Sequence, residues 1–186
     1  MTSNRTARAV ALEAVSRVVD DGGYSSLAIP AALSRSGLAD RDRAFASELA
    51  YGTCRRLVSL DWAINEVAAR PVARMTPGAR AVLRLGAYQL LFTQVAPHAA
   101  VAETVGLASE RERGFANAVL RRLASEPPPW PAGDSEEAVS VRTGVAPWIV
   151  RELRHLVGPD AEAAAAALAT RGRLTIRANT CLSTAD

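Results

Sequence analysis

The stretch from Thr76 to Phe92 sets the tightest limit on what this chain can become. Thr76-Pro77 places a capping hydroxyl ahead of a proline at the first helical position, a strong start signal. The helix it opens, to about Phe92, carries apolar side chains almost all the way round. An ordinary surface helix shows one apolar stripe, whereas a helix apolar on every side has to be covered by others. An all-α chain with this segment at its centre is the expectation. Gly86 sits inside the segment at a cost of about 1 kcal/mol relative to Ala. Close approach of a neighbouring helix is the expected compensation.

The flanking sequence supplies the covering helices. Ser3 can cap a helix running to about Asp20, with Ala7, Val10, Ala11, Ala14 and Val18 on one stripe, stopped by Gly22-Gly23. A short helix from about Ser26 to Arg35 ends at Gly37. Asp40 caps a third, with Phe45, Leu49 and Gly52 on one face and Arg41, Glu48 and Arg55 on another. The helical pattern continues from Leu60 to Ala69 and closes at Pro71. Beyond the central segment, helices are expected at about Ala99–Ala108 and Arg111–Ala124.

Composition then changes. Glu126–Asp134 reads EPPPWPAGD, which is incompatible with helix and reads as an extended linker. Pro147 opens a helix ended by Gly158-Pro159, and Asp160 caps an Ala-rich one to about Thr170. LTIRANT, Leu174–Thr180, alternates like a β-strand and has no partner elsewhere in the chain.

The residues offer little for catalysis. Cys54 and Cys181 are far apart and form no CxxC pair, which argues against a disulfide scaffold or a zinc site and for a reducing cytoplasm. His98 and His155 have no carboxylate or thiol cluster beside them, and no Gly-rich phosphate loop follows a strand. Glu103, in the apolar run AVAETVGLA, reads as a buried acid anchoring a neighbouring helix end or an Arg. The charge-free stretch between Arg84 and Glu103 is long enough to suggest a membrane span, but Gln89, Gln94, Pro97 and His98 break it. No catalytic, cofactor-binding or metal residues are assigned.

Nucleic-acid binding has more support. All 22 basic residues are Arg, a planar fork suited to phosphate, although the net charge is only +3. Arg5 and Arg8 lie one turn apart at the start of the first helix. Arg80, Arg84 and Tyr88 recur every four residues along one face of the central helix. Asn117 and Arg121 share a face on the helix that also carries Phe115. Arginines for phosphate beside an aromatic for stacking suit single-stranded RNA. The candidate RNA-binding residues are therefore Arg5, Arg8, Arg84, Tyr88, Phe115, Asn117 and Arg121.

Three segments carry a family resemblance: DRDRAFASELAYGTCRR (Asp40–Arg56), LRLGAYQLLF (Leu83–Phe92), and PHAAVAETVGLA followed by GFANAVLRRL (Pro97–Leu123). They resemble NusB, a transcription antitermination factor, and more closely the NusB-like N-terminal domain of 16S rRNA cytosine-5 methyltransferases of the Sun/RsmB group. APWIVRELRHLVG (Ala146–Gly158) and LTIRANT look like the connector preceding the methyltransferase domain in that group. The resemblance implies two packed three-helix subdomains, roughly before and after Pro71. It implies ribosomal RNA as the partner, with Arg5 and Arg8 as the basic N-terminal positions and Phe115 and Asn117 as the Phe–Asn pair. It also implies that S-adenosylmethionine serves a catalytic domain absent from this chain. Cys54 and Cys181 follow threonine like that group's catalytic cysteines, but both stand in the wrong place. The expected division is a NusB-like domain at 1–125, a Pro-rich linker at 126–144, and a helical connector with the start of a truncated methyltransferase region at 145–186. A stand-alone antitermination module without catalysis is the alternative.

Overall fold

The computed structural model describes residues 5–172 and residue 179. The ten α-helices among them are α1 (Ala7–Val19), α2 (Ser25–Ser34), α3 (Asp40–Arg55), α4 (Leu57–Val67), α5 (Pro77–Phe92), α6 (Pro97–Val105), α7 (Glu110–Ser125), α8 (Glu136–Thr143), α9 (Pro147–Val157) and α10 (Ala161–Leu168). Short 3₁₀ turns at Val72–Arg74 and Gly158–Asp160 join two of the pairs. No strand occurs among the described residues, and Leu174–Thr180, expected as a strand, lies outside them apart from Asn179.

Start signals operate as local chemistry dictates, with two shifts. Thr76 caps α5, its hydroxyl accepting from the Ala79 amide. Thr6 caps α1, in place of Ser3, which lies outside the described residues. Asp40 is the first residue of α3 and Ala39 precedes it, so the acid acts on the helix dipole and is not the cap.

Helices α1, α2 and α3 pack on one another, and α5 lies against α1, α3, α4, α6 and α7. Everything from Ala81 to Gln89 in α5 is buried. The Gly86 compensation is visible: a Cβ there would come within 2.6 Å of Leu120 Cδ1 on α7. Helix α4 precedes Pro71 in sequence yet packs mainly on α5, α7 and the later α8, with only a slight contact to α3. The second group of helices therefore begins at the break after Arg55.

The segment expected as linker to residue 144 holds helix at Glu136–Thr143, so the part without helix ends at Ser135. Ser135 caps α8 through the Ala138 amide, and Gly144 closes it at φ +84°. Helices α8, α9 and α10 pack on one another, and α8 seats this layer on α4. Ser59 Oγ donates to the Val141 carbonyl at 2.6 Å, and Arg56 donates to the Thr143 carbonyl at 2.8 Å. Trp130 stacks on Trp62 at 5.5 Å and lies 5.8 Å from Phe92. Arg142 joins the pieces, donating to the Pro131 carbonyl and to both oxygens of Glu162 on α10.

Candidate nucleic-acid interface

Helix α1 presents Arg8 in its first turn, one turn beyond Arg5. Arg8 Nε donates to Gln89 Oε1 at 2.7 Å, and its guanidinium lies 5.2 Å from the centre of the Phe45 ring. Gln89 is fully buried and its amide nitrogen donates to Thr104 Oγ1 and the Leu85 carbonyl. One amide thus ties α1, α5 and α6 together and holds the Arg8 fork in a fixed plane. Burial pulls Arg8 below its ordinary pKa, opposed by the charge of Glu103, but a guanidinium stays cationic regardless. Arg5 pairs with Glu13, about two helical turns further on. Together with Arg41, Asp42, Phe45 and Glu103, these two arginines line a groove of about 570 Å³.

A second groove runs between α6 and α7, on the other flank of α6. Asn117 and Arg121 do share a face there, and Asn117 Oδ1 accepts from Arg121 Nε at 3.1 Å. Helix α6 is the ridge between the two grooves: Glu103 faces the first, and Val101 and Val105 face the second. Glu103 is exposed, contrary to the expectation of a buried anchor. Position 103 falls off the apolar stripe of a nine-residue helix, which the uninterrupted apolar run conceals.

The remaining expected residues are elsewhere. Arg84 and Tyr88 lie on one face of α5 as their spacing requires, but that face points inward. Arg84 is 8% exposed and makes a two-point ion pair with Asp61, both contacts at 2.7 Å. Tyr88 is 4% exposed, its hydroxyl donating to Glu48 at 2.7 Å and its pKa pushed up by burial and then by that acid. Neither side chain is presented to a polymer. Phe115 is half-buried against the core, with the Arg70 guanidinium 4.7 Å from its ring centre. It does not line the groove that holds Asn117. Residues that the sequence reading missed are Arg41, Phe45, Gln89 and His98. The available signal was the four-residue spacing of Arg41 and Phe45, which sets them side by side in this groove and not on the separate faces expected.

Among the described residues no group of three or more His, Cys, Asp or Glu is placed to hold a metal, and no helix is long and apolar enough to cross a membrane. The thiol of Cys54, in α3, is pushed up to about 11 by burial, against the opposing charges of Arg84 and Arg55.

Comparison with known proteins agrees with this architecture. A Mycobacterium tuberculosis protein provisionally named a methyltransferase is 44% identical over 122 residues, covering 63% of this chain and 27% of its own length. Ribosomal RNA small subunit methyltransferase B of Escherichia coli is 38% identical over 127 residues, covering 66% of this chain and 29% of that protein. The chain thus spans under a third of the length of these curated relatives. Among solved structures, T. maritima NusB superposes with a TM-score of 0.60 at 21% identity, over 69% of this chain and 94% of that one. At that identity the likeness speaks for the fold. The family model described as the NusB family matches residues 5–125, and the chain belongs to that family.

Proposed function

We propose that this chain binds RNA, as the N-terminal part of an S-adenosylmethionine-dependent rRNA cytosine-5 methyltransferase, where it helps position a single-stranded ribosomal RNA segment for the catalytic domain. The observation that carries the reading is the Arg8 fork. It is held by Gln89 and Phe45 at the mouth of a groove shared with Arg5 and Arg41. A guanidinium fixed in advance loses less freedom when it meets a phosphate. Named rRNA methyltransferases among the relatives support the substrate class. A cytoplasmic location belongs to the same proposal.

The methyl donor would serve that catalytic domain. Burial keeps the Cys54 thiol neutral, which does not suit a nucleophile. The stand-alone antitermination reading draws on the T. maritima likeness, which takes in nearly all of that NusB. The layer seated on α4 favours the first reading, because it lies beyond the family match and is built into the body.

The test is the double substitution Arg5→Ala and Arg8→Ala, with RNA affinity followed against salt. Each lost phosphate contact on a single strand should flatten the log–log slope by about 0.7. The double variant should therefore lose roughly 1.4 in slope, while Tyr88→Phe leaves the slope alone. An unchanged slope in the double variant would count against the reading.

A further inference from the structure

We infer that Gln89, buried in α5, is a positioning residue of the RNA site. It fixes the Arg8 guanidinium through a neutral amide, which leaves the two terminal nitrogens to grip one phosphate with the charge uncompensated. This rests on the RNA-binding reading above. The orientation of the amide is forced. Arg8 can only donate, and the Leu85 carbonyl can only accept. The oxygen of Gln89 therefore faces Arg8 at 2.7 Å and its nitrogen faces Leu85 at 3.0 Å. Thr104 Oγ1 accepts from the same nitrogen at 2.8 Å. Gln89 and Thr104 are both fully buried, so water does not compete for these bonds.

Neighbouring arginines show why an amide matters here. Arg80 and Arg84, on the same helix as Gln89, are closed on the carboxylates of Asp20 and Asp61. In both, one acid holds the guanidinium and neutralises it. Arg8 is held without an acid. Its Nε goes to Gln89, its guanidinium lies over Phe45, and its terminal nitrogens have no protein partner among the described residues. Glu103 lines the same groove and its charge acts on Arg8, yet the two make no ion pair. With Nε occupied, the pair of terminal nitrogens is the edge left for two oxygens of one phosphate.

The experiment measures binding of a labelled single-stranded RNA of about ten nucleotides to the full chain across a salt series. Gln89→Met keeps length and helix propensity and removes the amide. It should weaken binding about fivefold, the scale of one long side chain that must now be ordered on binding. Its salt slope should not change, because the charge of Arg8 remains. In an Arg8→Ala background the same substitution should alter affinity by less than about twofold. Arg8→Lys keeps the charge and drops the fork. It should weaken binding about tenfold, the scale of one charge-assisted hydrogen bond, with the slope retained. Circular dichroism checks folding, and Arg8→Lys decides alone should Gln89→Met fail to fold. Unchanged affinity in Gln89→Met, equal losses in both backgrounds, or full affinity in Arg8→Lys would overturn the positioning role. Failure of the wild type to bind the RNA would instead sink the RNA-binding reading itself.

Discussion

Arg84 sits in the body of the protein with its fork closed on Asp61, and its charge has no other acid in contact. Removing the acid strands a cation away from water, which in a fully buried pair costs about 3–5 kcal/mol. Asp61 is 32% exposed on its side chain, so Asp61→Ala should cost about 2–4 kcal/mol, read as a lower urea midpoint with an unchanged m-value. Cys54 answers to the same burial. Its thiol, held up to about 11, should react with iodoacetamide on the order of a hundredfold more slowly at pH 8 than in the unfolded chain. A Cys181→Ser background isolates that rate, and rapid native labelling would contradict the burial. Four-residue spacing correctly gathers Arg80, Arg84 and Tyr88 on one side of α5. Which way the side faces is decided by Asp20, Asp61 and Glu48, carboxylates delivered by α1, α4 and α3. A spacing rule sees one helix at a time, and so it cannot supply that orientation.

Two glycines inside helices have opposite standing. Gly86 meets Leu120, itself fully buried, and Gly86→Ala should destabilise by about 1–3 kcal/mol through overpacking, outweighing the gain in helix propensity. Gly114 in α7 has open space where a Cβ would go. Gly114→Ala should therefore stabilise by about 0.5–1 kcal/mol. Urea unfolding of both variants checks the signs. The close approach at Gly86 was readable in advance because a glycine in an otherwise apolar helix has few other uses. The start of α5 was readable for a similar reason, since Thr76-Pro77 is local chemistry. Helix α8 was not recognised, although Ser135 followed by two glutamates, and Gly144 nine residues after that serine, are its start and stop. Eight residues give too little apolar periodicity to stand out beside a proline run.

At the scale of the molecule, the helices described beyond Ser125 are a structural layer resting on α4. Ending the chain at Ser125 removes Trp130 from Trp62 and Phe92 and leaves Ser59 and Arg56 without their carbonyls. The shortened protein should melt roughly 5–10 °C lower, equivalent to about 2 kcal/mol, with Trp62 emission shifted to the red. An unchanged melting point would mean the layer contributes nothing to the body. Arg56 also has a bearing on the order of assembly. It lies over the Phe92 ring at 4.9 Å while holding the last carbonyls of α8. A helix of that length does not sustain itself in water, where about 12–15 residues are needed. A ribosome delivers Arg56 long before Thr143, so the socket is complete before the segment that plugs it has been made, and that segment emerges to a template already waiting.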